Sequence, residues 1–155
     1  MSMVAEYGGA QHDEQVARVR RVVALRAMRA AGMTQREIAG HLAISQPAVS
    51  QQLAVDLRSF HPELIVEAAA PILRSVAAEH GYGRIAVFGS VARGQARIDS
   101  DIDLLVETPP GASSFAFVRF RRLLGDVLGR EVDLVDYAGL TPRIDDDIVR
   151  EAVAL

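Results

Sequence analysis

A chain of 155 residues, half of them apolar and about a quarter charged, has room for one ordinary domain or two small ones. It contains no cysteine, which excludes a disulfide framework, a thiol nucleophile and a Cys-based zinc site. No apolar run approaches the ~20 residues of a membrane span, so no membrane association and a cytoplasmic location are expected.

The net charge of −3 averages over an uneven chain in which all seventeen basic residues are arginine. Between Glu14 and Arg58 seven arginines face three acids, whereas past residue 80 nine arginines face twelve acids. A basic first part and an acidic second part predict two modules with different partners. The four histidines (His12, His41, His61, His80) are scattered, without metal-ligand spacing.

Residues 1–13 hold Gly8-Gly9 and few apolar side chains, and are expected to form a disordered tail. From Gln15 to Ala30, Val16, Val19, Val23, Ala27 and Ala30 recur at helical spacing, and Gly32 stops the helix. Thr34 and Glu37 form a capping box that starts a second helix carrying Ile38, Ala39 and Leu42 inward. After a break at Ala43-Ile44, Ser45 caps a third helix with Pro47 in its first turn. The run from Gln35 to Leu53 resembles the helix-turn-helix of phage-repressor-type regulators, with Ala43 where those proteins often have glycine. That resemblance implies that residues 14–60 bind operator DNA, with Ser45, Gln46, Ser50 and Gln51 facing base edges and nearby arginines on phosphates. It also implies a dimer. A three-helix unit that serves only dimerisation is the alternative.

Pro62 opens a connector helix over 61–71, and Pro71 either kinks it or starts another that runs to Glu79. After Gly83 the period changes. Ile85 to Phe88 is a short buried strand, Ile102 to Val106 a second, and Val132 to Val135 a third. Between the last two, Ser114 is expected to cap a helix whose face is Phe117, Phe120, Leu124, Val127 and Leu128. Thr141-Pro142 opens a final helix with Asp145, Asp146 and Asp147 in its first turn. This order predicts an α+β fold with a small mixed sheet over residues 72–155, preceded by the all-α module.

Two of these strands carry acids among apolar residues: Asp103 before Leu104-Leu105-Val106, and Asp133 between Val132 and Leu134. A buried carboxylate without a partner costs several kcal/mol, roughly, so these acids need a partner or a cation. Strand alternation puts Asp101 and Asp103 on one face, and Asp133 joins them if the third strand lies alongside. Three carboxylates on one face suit Mg²⁺. Gly89-Ser90 ends the first strand and Arg93-Gly94 forms a turn, which offers backbone, hydroxyl and guanidinium donors to phosphates.

The stretch Val87-Phe88-Gly89-Ser90-Val91-Ala92-Arg93-Gly94, followed by Ser100-Asp101-Ile102-Asp103-Leu104-Leu105-Val106, strongly resembles the minimal nucleotidyltransferases of the polymerase-beta superfamily. The likeness continues through Val132-Asp133-Leu134-Val135 to Arg150-Glu151-Ala152-Val153. It implies catalytic and metal-binding roles for Asp101, Asp103 and Asp133, with two Mg²⁺ ions and ATP as nucleotide donor. Gly89, Ser90, Arg93 and Gly94 would bind the nucleotide. The resemblance further implies an antitoxin that transfers AMP to a HEPN-type toxin protein, as a homodimer or a hetero-oligomer with it, and represses its own operon. A non-catalytic repressor or neutralising scaffold with the same fold is the alternative, and a small-molecule nucleotidyltransferase a weaker one. Arg97 and Asp99 are expected to be solvated charges. Tyr137 is expected either to stack on a base or to pack.

Overall fold

The computed structural model describes residues 2–155. Its first helix, α1 (Met3–Ala30), begins at Ser2, whose hydroxyl accepts from the Val4 amide, and ends where Gly32 takes φ +97°. The tail expected over residues 1–13 is therefore corrected: from Met3 onward it is the start of this helix. Gly8 and Gly9 each cost roughly 1 kcal/mol there, but extending an existing helix is cheap compared with nucleating one. His12 also ties this overhang to Glu67 at 2.9 Å.

Helices α2 (Gln35–Leu42) and α3 (Gln46–Leu53) follow from their caps. The Thr34 hydroxyl accepts from the Glu37 amide at 3.1 Å, and Ser45 accepts from Ala48 at 3.2 Å. Between them Ala43 occupies the left-handed region at φ 54°, the conformation glycine adopts most cheaply. A small core of Leu25, Ile38, Ala39 and Val49, edged by Met28, Met33 and Leu53, holds the two helices to α1.

The rest of α1 belongs to a different core. Val16, Val19, Val22 and Val23 pack with α4 (Pro62–Glu79) and with buried residues of the sheet and α6 (Ser114–Leu128). The expected boundary near residue 60 thus falls between α3 and α4, while the main core spans both sides of it. The separate connector over 61–71 is also corrected, because α4 runs unbroken through Pro71. Proline inside a helix costs ~3 kcal/mol, and the burial of Ile65, Ala68, Ala69, Leu73 and Ala77 on that helix offsets it. Arg20 adds a 2.8 Å hydrogen bond to the Ala68 carbonyl in the turn before the proline.

Four strands form one mixed sheet in the order β3-β2-β1-β4. They are β1 (Gly83–Phe88), β2 (Ile102–Glu107), β3 (Val132–Asp136) and β4 (Val153–Ala154). β1 pairs antiparallel with β2 and β4, and β2 pairs parallel with β3. Ile85, Val87, Ile102, Leu104, Val106, Val132 and Leu134 line the face against α1, α4 and α6 (Ser114–Leu128). Ala86, Phe88 and Leu105 face the other way, under Tyr137, Leu140, Ile148 and Ala152. No helix among the described residues is long and apolar enough to cross a membrane.

Three local expectations shift. Ser113, one residue before the expected Ser114, caps α6 through the Ala116 amide. The last helix, α7, spans Asp146–Glu151 rather than starting at Thr141. Asp145 and Asp146 explain this, because their carboxylates take the backbone amides of Thr141 and Arg143 and hold the segment in a turn. β4 was not foreseen, since two residues carry no readable alternation.

Candidate active site

β1 delivers the chain to Gly89, which opens the single-turn helix α5 (Gly89–Ala92) at φ +71°. A Cβ on Gly89 would lie 2.0 Å from the Asp103 Oδ2 atom, so only glycine lets this turn close over the carboxylate. Phe88 and Asp103 are antiparallel partners, which fixes the position of that carboxylate beside the turn. Asp103 is also the parallel register partner of Asp133. The sequence left the placement of the third strand open; the register brings its acid alongside. Asp101 lies just before β2, exposed, two residues from Asp103 on the same face by alternation.

The electrostatics record this crowding. Half-buried Asp103 is pushed up to about 6, first by burial, then by the charges of Asp133 and Asp101; Arg93 opposes the shift and Glu151 adds to it. As positioned, no three such side chains among the described residues converge on a single ion position. Asp101 and Asp133 are exposed, however, and rotation of their side chains needs no movement of the register-fixed backbone. The mutual repulsion registered at Asp103 and the all-oxygen donor set fit a hard divalent cation.

Glu151, which no motif reading singled out as a site residue, holds the Gly89 turn and Arg93 together. Its carboxylate accepts from the Gly89 amide at 2.9 Å and pairs with the Arg93 guanidinium at 3.0 Å. These contacts keep the Glu151 carboxyl below its ordinary range, the Arg93 hydrogen bond most of all. Arg93 also donates to Gln95 at 3.2 Å, so this arginine braces the turn as well as facing the site. Gly94 takes φ +69°, and the Gln95 amide returns to the Ser90 carbonyl at 2.8 Å. Ser90 sits half-buried in the first turn of α5.

A second residue missed from sequence is Arg130, buried at 8% exposure. It donates to the carbonyls of Ile98 (2.6 Å) and Ser100 (3.0 Å), and to that of Phe60 (2.9 Å). It therefore ties the loop leading into Asp101 to the segment after α3. Burial pulls its guanidinium below the ordinary value, and Asp101 and Asp99 counter that. Nothing in a Gly129-Arg130 step before a strand signals such a role.

Arg97 and Asp99 form a weak 3.8 Å pair with both side chains about four-fifths exposed, as solvated charges do. Tyr137 packs over the second sheet face, with the Arg84 guanidinium 4.4 Å above its ring. At the other end of the molecule Ser45, Gln46, Ser50 and Gln51 are all exposed, and the Ser45 hydroxyl is engaged as a cap.

Comparison with known proteins follows the sheet. Residues 71–155 match the sequence profile described as the nucleotidyltransferase domain. A relative in Methanocaldococcus jannaschii, named for protein adenylyltransferase activity, is 44% identical over 75 residues, 48% of this chain and 81% of that protein. Protein adenylyltransferase MntA of Thermococcus cleftensis is 40% identical over 73 residues, 47% of this chain and 74% of that one. A solved structure described as a minimal nucleotidyltransferase superposes with a TM-score of 0.53 at 40% identity, covering 66% of this chain and 98% of its own. A toxin–antitoxin complex with AMP-PNP is more distant, at 22% identity and a TM-score of 0.49 over 55% of this chain and 70% of that one. At that distance it bears on neither activity nor partner.

Proposed function

The chain belongs to the nucleotidyltransferase domain family and is a transferase of that class; on that premise we propose that it moves AMP from ATP to a hydroxyl of a partner protein. The observation that carries this reading is the closure of Gly89 over Asp103, with Asp133 in register beside it. Backbone that would bind phosphate then stands beside the Asp103 and Asp133 carboxylates, which supports the pairing that nucleotidyl transfer requires. Asp101, Asp103 and Asp133 would hold Mg²⁺, which when bound neutralises charge on the phosphates. Gly89, Ser90 and Gly94 shape the phosphate cradle, and Arg93, oriented by Glu151, adds positive charge. The acceptor oxygen attacks the α-phosphorus while its proton passes to the Asp133 carboxylate. The bond between the α-phosphorus and the bridging oxygen breaks, and pyrophosphate leaves.

The family resemblance suggests the acceptor: a HEPN-type toxin, with this chain as its cytoplasmic antitoxin. Operator binding through α3 completes the reading. It is supported by the exposure of Gln46, Ser50 and Gln51, and by Arg18 and Arg21 of α1, which border the same groove as Gln51 and Gln52.

Incubation with ATP, Mg²⁺ and the product of the neighbouring reading frame should add about 329 Da, one AMP, to that protein. Asp101→Asn should abolish the addition. Complex formation without any mass change, indifferent to that substitution, would replace the enzyme reading with a non-catalytic scaffold. Operator affinity should drop steeply between 50 and 200 mM salt, roughly as counterion release dictates; a salt-insensitive complex, or none, rejects the DNA-binding part.

A further inference from the structure

The N-terminal helices reach the transferase site itself. A cleft of about 750 Å³ opens between α1 and the segment after α3 on one side, and α6 with the start of β3 on the other. Asp101 and Asp133 lie in its wall together with Arg26, Arg58, Arg121 and Arg122, while the Gly89-Ser90 turn lies outside it. Arg26 and Arg58 come from the part of the chain that precedes the nucleotidyltransferase match.

Displacement at phosphorus puts the attacking oxygen and the leaving group on opposite sides. With the triphosphate held at Gly89-Ser90, the acceptor enters across the carboxylates, which is the side of this cleft. Five arginines and five acids line it, but the acids are already committed in part. Asp101 and Asp133 are the candidate cation ligands, and Asp56 is bonded to Arg58 at 3.1 Å. Arg130 is buried and spent on backbone carbonyls. That leaves Arg26, Arg121 and Arg122, none within 4.0 Å of a carboxylate among the described residues, against Asp126 and Glu131; of these three, Arg26 donates its Nε to the Asp126 carbonyl at 2.7 Å. The cationic excess calls for an anionic ligand, and the guanidinium fork matches carboxylates well. Nucleic-acid strands are usually gripped by aromatic rings between the cations, and no aromatic side chain lines this cleft.

We propose that the cleft is the acceptor-specificity site, taking an acidic polypeptide segment that flanks the modified hydroxyl, with Arg26 supplied by the N-terminal module. This rests on the transferase reading above and names its acceptor chemistry. A partner bound here contacts the N-terminal module and the carboxylates at once.

The test uses the full-length protein with Mg²⁺ and a non-hydrolysable ATP analogue, and fluorescence anisotropy of two labelled peptides. One is Glu-Asp-Tyr-Glu-Asp and the other its Gln-Asn-Tyr-Gln-Asn counterpart. The acidic peptide should bind about tenfold more tightly, the sum of a few partly exposed ion pairs. Arg121→Gln with Arg122→Gln should bring it to the level of the neutral one. Both positions are exposed on α6, and circular dichroism reports whether the helix content survives; Arg26→Gln provides an independent second variant with the same expected direction. Equal affinity for the two peptides, or an acid preference untouched by both variants, overturns the proposal. Displacement of the peptide by an oligothymidine strand assigns the cleft to nucleic acid and overturns it as well. Calorimetry of the ATP analogue on the same sample separates the two readings: failure to bind nucleotide counts against the transferase, whatever the peptides show.

Discussion

The acid-bearing strands and the α2–α3 hairpin place function on the chain in opposite ways. Around Asp103 the candidate site residues break local rules: a carboxylate stands in an otherwise buried strand, and a glycine at positive φ has no space for a side chain. Such departures persist only where the surroundings enforce them, and they announce a site. In α2 and α3 the local rules are obeyed except at the left-handed Ala43 between them. The N-caps are conventional, Ile38, Ala39 and Val49 face inward while Leu42, expected inward, is exposed, and the candidate DNA-contacting residues are exposed at no folding cost. The fold therefore supports the first site by its own constraints and is indifferent to the second.

The same chemical change applied to both regions should separate them most widely. Gly89→Ala meets the Asp103 carboxylate and a left-handed backbone. Strain of about 1–3 kcal/mol is expected in chemical denaturation, and AMP transfer should fall by roughly a thousandfold as phosphate and cation positioning is lost. Gly40→Ala lies inside α2 with open space around it, and should stabilise the protein by about 0.5–1 kcal/mol. Equal effects at the two sites would dissolve the contrast.

A smaller effect is expected at Asp103. Its carboxyl is raised from 3.8 to about 6, so the folded protein keeps this proton longer than the unfolded chain does. Its contribution to stability is greatest below pH 3.8, falls as pH rises toward 6, and is flat above that. Asp103→Asn removes the repulsion. Discounted for partial exposure, roughly 1 kcal/mol is expected above pH 6, or about 2–4 °C in melting temperature. Melting curves from pH 4 to 8 should show the variant losing less stability than the parent across that window, while transfer is abolished. Mg²⁺ added to the parent should recover part of the same stability, by neutralising the same charges. A variant that melts lower at pH 7.5 would mean that Asp103 is held by partners rather than crowded by them.

The smallest change is at Ala43, the left-handed residue between α2 and α3. Ala43→Gly relieves about 1 kcal/mol of backbone strain and returns part of it as unfolded-chain entropy. A net gain of a few tenths of a kcal/mol is expected in the melt, with AMP transfer unchanged.

How much was legible depended on how local the cause was. Thr34, Ser45, Gly32 and the apolar periodicity set the helices, because caps and periods act over three or four residues. Gly89-Ser90, Asp101, Asp103 and Asp133 were readable because each is anomalous where it stands. Glu151 and Arg130 were not, because both work through backbone groups 30 to 70 positions away in the chain. The helical overhang of α1 is not legible for a related reason: its support, His12 against Glu67, spans 55 residues.

The sequence by itself determined most of the transferase half: strands β1 to β3, the Gly89-Ser90 turn and the three acids, all set by local periodicity and by residues that violate it. Only the tertiary structure decided that Asp133 lies in register with Asp103, since pairing of β2 and β3 joins segments separated by α6. It also decided the relation between the halves. A single helix, α1, buries valines in the main core at one stretch and Leu25 in the small helical core at the next, and so fixes both to one frame. Residue counting suggests two modules, but the apolar faces of α1 and α4 bury each other across the presumed boundary. That packing brings Arg26 and Arg58 into one cleft with Asp101 and Asp133.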